Sequence, residues 1–250
     1  MEFPVPLVGG RFLHREKRFF IHVRLDDGRQ VVAHTNNTGR MRGCLEEGAR
    51  VWLSPALNPA RKLRWSLEIV EATGQDILGR NPRVMVGVNT ILANQLVVEA
   101  VTAGLIPGLA GFDSLRQEIR YGSRRSRVDL LLATGDARVW VEVKNVSLVE
   151  NGHARFPDAP TERGRKHLRE LEETVACGDR AALVFCCQRE DAITVGPADD
   201  IDPEYGQLLR RVAAAGVEIY GLGARVMTQA IIPVRLIPVA IGFRADETGE

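Results

Sequence analysis

The sequence predicts an α/β (α+β) chain in two parts: a small N-terminal β-barrel over residues 1–82 and a mixed sheet with helices on its faces over residues 83–250. Three observations predict it. In the first part the apolar residues alternate in short runs broken by "DDG", "NNTG", "EEG" and "NPARK", with no long three-and-four spacing. From "VNTILANQLVVEAVTAG" onward, helix-length stretches alternate with strand-length ones, the order of a sheet covered by helices. The charge changes sign with the pattern: residues 1–85 hold 14 Lys and Arg against 9 Asp and Glu, net +5, and the remainder is net −4. With 250 residues, 45% of them hydrophobic, the chain has enough apolar side chain for two modest cores.

In order, "GRFLHREKRFFIHVRL", "RQVVAHT", "ARVWLSPA" and "LRWSLEIVEA" read as the short strands of the barrel. Their spacing fits a five-stranded OB-like barrel, a form that often lays single-stranded nucleic acid across a basic face. Arg61 and Lys62, with Arg64 and Trp65 beside them, suit that face, as do Arg40 and Arg42 in "NNTGRMRG". The other reading is of solvated loop charges around a structural barrel.

"ILGRNPRVMVG" reads as a linker. The helix after it places Ile91, Leu92, Leu96, Val97 and Ala100 at three-and-four spacing, with Asn89 as cap and Gly104 as stop. Strands "LRQEIRYG", "SRVDLLLA" and "ARVWVEVKNV" follow. Next come helix "TERGRKHLRELEETVACG" with Thr161 as cap, strand "RAALVFCC", helix "PEYGQLLRRVAAAG" and strand "VEIYGL". "AIIPVRLIPVAI" is too short to span a bilayer and reads as late core strand or loop. The start lacks a basic region followed by an apolar one, so a cytoplasmic protein with no membrane partner is expected. Cys44, Cys177, Cys186 and Cys187 form no C-x-x-C pair and read as reduced thiols, the last two pointing to opposite faces of a strand.

The hairpin around Gly135 and Asp136 is the informative element. A two-residue turn there makes Val128 meet Val143, Leu130 meet Val141 and Leu132 meet Val139 on one apolar face. On the other face Leu131 meets Trp140, Arg127 meets Lys144, and Asp129 meets Glu142. Facing carboxylates repel, so something positive belongs between them: a shared proton, the Lys144 ammonium, or a metal ion. Magnesium suits two carboxylates that leave positions open for water and phosphate oxygens. An Asp-Lys-Glu salt-bridge cluster at a sheet end is the alternative.

Asp129, a hairpin and Glu142-Val143-Lys144, flanked by an earlier and a later helix, resemble the PD-(D/E)XK nuclease core. Val128 stands where the pattern's name expects proline, which is not a ligand. Over nearly its whole length the chain resembles the sugar-fermentation-stimulation protein family, in "NNTGRMRGC", "VNTILANQLVVEA", "EIRYGSRRSRVDLLL", "VEVKNVSL" and "FPDAPTERGRKHLREL". The resemblance implies an OB-like domain, a nuclease-like domain, non-specific DNA binding and a role in regulating sugar use.

On that reading Asp129 and Glu142 would hold Mg2+ (or Mn2+) and Lys144 would place positive charge near a scissile phosphate. Glu118 on the preceding strand and Glu99 on the preceding helix are candidates for a third acid, each with a surface ion pair or plain solvation as its alternative. Arg124, Arg125 and Arg127 in "SRRSR", and Arg163 and Lys166 on the next helix, would meet phosphates. His167 reads as a structural hydrogen-bonding group rather than a catalyst. DNA is the expected partner and RNA the next; the sequence is compatible with a homo-oligomer. Two functions stay open: a metal-dependent nuclease acting on DNA or RNA, and a non-catalytic DNA-binding regulator of sugar metabolism genes.

Overall fold

A computed structural model describes residues 1–74, 83–121 and 126–242. Strands β1 (Val8–Glu16), β2 (Phe20–Leu25), β3 (Gln30–His34), β4 (Arg50–Pro55) and β5 (Trp65–Thr73) form the N-terminal barrel. They run in the order β3-β2-β1-β4-β5, and a parallel pairing of Ala33 with Trp65 and His34 with Ser66 closes the ring. Period-two alternation drives this: Ile21, Val23 and Leu25 face the core, and Arg24 between them is exposed. A closed ring leaves few free edges, which is how so short a set of strands stays folded. Residues 83–87, read from sequence as linker, form β6 (Arg83–Gly87), which adds to β5. The strand is short and directly follows the glycine- and proline-containing stretch, and it pairs antiparallel with β5, from Thr73 with Arg83 to Ile69 with Gly87.

The C-terminal part is a mixed α/β layer. Helix α1 (Thr90–Thr102) starts where Asn89 accepts the amide N–H of Ile91 and stops before Gly104. Strands β7 (Ser114–Tyr121), β8 (Ser126–Thr134) and β9 (Ala137–Val146) form an antiparallel meander. The short strands β10 (Leu148–Glu150) and β11 (His153–Phe156) precede helix α2 (Glu162–Ala176), capped by Thr161. Strands β12 (Arg180–Cys187) and β13 (Thr194–Pro197), helix α3 (Pro203–Ala214), and strands β14 (Glu218–Val226) and β15 (Ile231–Ile237) complete it. The main sheet runs β15-β14-β12-β9-β8-β7, with β9, β12 and β14 parallel; β10, β11 and β13 make a small second sheet. β12 is a nearly continuous apolar run because it lies at the middle of a sheet covered on both faces.

One face packs on α1 through Leu96, Val97, Leu130, Val141 and Cys186; the other packs on α2 and α3 through Leu168, Leu171, Phe185, Cys187 and Leu209. Cys186 and Cys187 thus point to opposite faces, as strand geometry requires. Ile91 departs from its expected inward place: it is 61% exposed and lines clefts that barrel residues also line. No helix among the described residues is long and apolar enough to cross a membrane.

Candidate functional site

The hairpin register follows the turn at Gly135, whose positive φ of 55° suits the tight reversal. Leu130 pairs with Val141, Leu131 with Trp140, Leu132 with Val139 and Thr134 with Ala137. The pairing recorded between β8 and β9 ends at Leu130, one residue short of Asp129. On the other side β7 pairs through Gln117 with Leu130 and through Ile119 with Val128, and Glu118 between them adopts φ 55°. The sheet opens at Asp129. Its carboxylate takes up the freed backbone: Oδ2 accepts the Val143 N–H at 2.8 Å, and Oδ1 accepts Nδ2 of Asn94 from α1 at 2.9 Å.

Glu142 sits beside it at 2% exposure. Its Oε1 accepts Lys144 Nζ at 2.6 Å and also contacts Nδ1 of His167 from α2. Its Oε2 is buried and has no hydrogen-bond partner among the described residues. Arg163 donates through Nε to His167 Nε2 at 3.3 Å, so α2 braces Glu142 from behind. The two carboxyl groups are therefore treated unequally. Burial, then the Glu142 charge, pushes Asp129 up to about 6. Burial also raises Glu142, but Lys144 and His167 together outweigh it and hold the group below its ordinary value.

Asp129, Glu142 and Lys144 line one cleft of about 590 Å³ at the sheet end, between α1 and α2. Its outer wall comes from the barrel: Asn36, Asn37, Thr38 and Gly39 line it together with Arg18. Arg15 anchors that wall, donating to the carbonyls of Arg18, Asn37 and Gly39. Asp158 ties it to the second domain by accepting the Met41 N–H at 2.8 Å. A Cβ on Gly39 would come within 2.6 Å of Asp158, so glycine permits this approach. Asn36 reaches across to helix α1, donating to Asn89 and accepting the Thr90 N–H.

The expected site residues are brought together only in part. Asp129, Glu142 and Lys144 are brought together, and Glu118 and Arg163 line the same cleft. Glu118 is exposed and lies 3.9 Å from Arg127. Glu99 is not brought there: it accepts the Met1 amino group at 2.7 Å, because its place on α1 faces the N-terminal segment. Lys166 faces Glu170 along its own helix at 3.6 Å. Arg40, Arg42 and Lys62 are exposed barrel residues, and Arg61 lines a second cleft, donating to Ser66. Arg124 and Arg125 lie outside the described residues. Asn94, His167, Arg15 and Asp158 were not read as site residues; of these, Asn94 carried a weak local signal, a polar side chain next to the buried Ala93 of α1.

No group of three or more His, Cys, Asp and Glu placed to hold a metal occurs among the described residues. The donor set is the pair Asp129 and Glu142. It includes one buried carboxylate oxygen without a partner, and magnesium commonly uses one or two protein carboxylates with water and phosphate oxygens completing the shell. The residues fit such an ion.

The architecture defines the class: an OB-barrel domain joined to a mixed-sheet α/β domain that carries an aspartate, a glutamate and a lysine in a cleft against the barrel. The model of the sugar fermentation stimulation protein RE domain matches residues 91–230, and that of the SfsA N-terminal OB domain matches residues 13–78. The chain belongs to the sugar fermentation stimulation protein (SfsA) family. It is 50% identical over 240 residues to the sugar fermentation stimulation protein homolog of Thioalkalivibrio sulfidiphilus, covering 96% of this chain and 98% of that one. It is 48% identical over 241 residues to the homolog of Geobacter metallireducens, covering 96% of this chain and all of the relative. The solved structure of Pyrococcus furiosus SfsA in complex with Ca2+ superposes with a TM-score of 0.84 at 29% identity, over 96% of this chain and 98% of that one.

Proposed function

We propose that this protein binds nucleic acid without base specificity and that its second domain keeps a magnesium-binding site of the PD-(D/E)XK nuclease type, hydrolysing phosphodiester bonds in DNA or RNA. One observation carries the reading: the sheet opens at Asp129 so that its carboxylate, the half-satisfied Glu142 and the Lys144 ammonium share a cleft walled by the barrel. A structural salt-bridge cluster needs no open cleft and no unpartnered carboxylate oxygen. That a relative was solved with Ca2+ supports a divalent cation in the family.

Asp129 and Glu142 would hold the ion, which when bound supplies charge neutralisation at the phosphoryl group and a more acidic water. Lys144, fixed by Glu142, presents a positive charge where negative charge grows in the transition state. His167 and Arg163 hold Glu142 in place from α2. Asn94 and the Val143 N–H orient the Asp129 carboxylate, fixing the direction in which it meets a cation. Arg18 and Arg163 at the rim, and the barrel cations Arg40, Arg42, Arg61 and Lys62, would track the phosphate backbone.

A second reading, a non-catalytic DNA-binding regulator of sugar metabolism genes, draws on one fact: Glu142 already has an ion-pair partner in Lys144 and a contact with His167 without a metal ion. The test incubates wild type, Glu142→Ala and Lys144→Ala with single- and double-stranded DNA and RNA plus magnesium or manganese. Cleavage by wild type alone supports the nuclease. Equal cleavage by all three exposes a contaminant, and binding without cleavage favours the regulator. Binding should weaken steeply with salt, the slope falling by about 1 when a phosphate-contacting arginine is removed.

A further inference from the structure

We propose that the protein selects unpaired over paired nucleic acid: a single strand leaves the Asp129 cleft over a shared rim and lays a base in a second cleft between the barrel and α1. The direction of this path rests on the phosphodiester reading of the first cleft; the base recess stands on its own geometry. The second cleft measures about 810 Å³ and adjoins the first, for Asn36 and Ile91 line both. Its walls are apolar. Leu57 at 71% and Ile91 at 61% are the most exposed large hydrophobic side chains among the described residues, and both stand at this one cleft, with Phe3, Val5 and Leu63 behind them. Single exposed apolar residues are ordinary, whereas two gathered at the mouth of a cleft mark a binding surface.

The cations around it choose the occupant. Arg61 lines the recess and exposed Lys62 follows it, while Arg18 stands at the rim of the first cleft, so the path between the two is bordered by positive charge suited to a polyanion. His34, also in the recess, stacks on the exposed ring of Phe19, with centroids 6.4 Å apart and planes 6° from parallel, which adds a flat aromatic edge. Glu2 lines the recess at its edge, and on its floor Glu68 is 5% exposed with Arg61 near enough to offset its charge. The Glu68 oxygens are occupied by Ser54 at 2.6 Å and Asn89 at 2.8 Å, and through Asn89 it fixes the start of α1 and the shared residue Asn36. A cleft of this size takes one or two nucleotides rather than a helix. A duplex keeps its base faces stacked inside and shows only edges in its grooves, so it cannot set a base against Leu57 and Ile91; an unpaired strand can.

The test uses the full chain in EDTA, so that nothing is cleaved. Fluorescence anisotropy compares a labelled oligothymidylate of about 12 nucleotides with a blunt duplex of equal length. The single strand is expected to bind about tenfold more tightly or better. Leu57→Ser combined with Ile91→Ser, which adds no charge, should bring single-strand affinity down to that of the duplex. Both side chains face solvent, and a thermal melt verifies the fold. Arg61→Ala is the second probe, lowering the salt slope for the single strand by about 0.7. A duplex bound as tightly as the single strand, or a preference untouched by the double substitution, overturns the proposal. Loss of metal-dependent cleavage alone bears on the first cleft and leaves this binding result standing, so the two failures are told apart.

Discussion

Replacing Asp129 by asparagine should make the metal-free protein more stable at neutral pH, and by an amount that depends on pH. The Asp129 carboxyl rises from 3.8 to about 6, first because it is buried and second because Glu142 carries a charge nearby. Below 3.8 the group is protonated in both folded and unfolded chains, so it makes no difference there. As pH climbs from 3.8 to about 6, the unfolded chain releases its proton and the folded chain does not, so the fold loses stability over that window. At about 1.36 kcal/mol for each pH unit the loss amounts to about 3 kcal/mol, an upper figure because the site opens on solvent through the cleft. Asparagine keeps an oxygen for the Val143 N–H and carries no charge. Urea melts in EDTA from about pH 4 to pH 8 should show a gain near zero at the acid end, growing to about 1–3 kcal/mol above pH 7. Magnesium should then stabilise wild type by mass action and leave the variant unmoved. A variant less stable than wild type at pH 8, or a gap that ignores pH, would refute the idea that a buried, cation-hungry carboxylate sits at this position.

Two further outcomes follow from the same geometry. Of the four thiols, Cys177 is exposed, whereas Cys44, Cys186 and Cys187 are buried and burial pushes them to about 11, about 12 and well above 9.0. A thiol reagent should therefore modify one cysteine quickly in the native protein and the other three only on unfolding. Asp158→Ala should cost about 1–3 kcal/mol by stripping the Met41 N–H of its acceptor, and should loosen the barrel wall of the cleft. Hydrogen exchange would then rise at Asn37–Met41, and unchanged protection there would contradict the clamp.

Much of the candidate site was legible because a strand's faces are set by parity. A turn at Gly135–Asp136 is enough to put Asp129 and Glu142 on one side and a valine-leucine set on the other, and five of the pairs that it dictates occur. The caps Asn89 and Thr161 were legible for a similar reason, each bonding an amide two or three residues away. What escaped the sequence is nonlocal. Ladder arithmetic continues a hairpin past the point where its strands part, so it gave Asp129 a cross-strand neighbour where the structure gives it the Val143 N–H and Asn94. Helical spacing cannot distinguish an α1 residue over the sheet from one at a cleft against the barrel, which misplaced Ile91. Nor could it foresee that Glu99 meets the N-terminal amino group, 98 residues distant. The barrel loop's role depends on Arg15 and Asp158 meeting it from two different domains.

The unequal treatment of the two acids gives the cleft its logic. Glu142 has an ammonium and an imidazole; Asp129 has only amide donors, which orient a carboxylate without cancelling its charge. Near neutral pH, two carboxylates against the single Lys144 leave the floor with net negative charge, which repels a phosphate, while Arg18 and Arg163 at the rim attract one. On the proposed reading, a divalent cation held by Asp129 and Glu142 would reverse that sign and let a phosphate approach. Strand binding at the rim and chemistry at the floor would then be separable steps: on this proposal the first needs only cations of the protein and should answer to salt, and the second should answer to metal and to the protonation of Asp129.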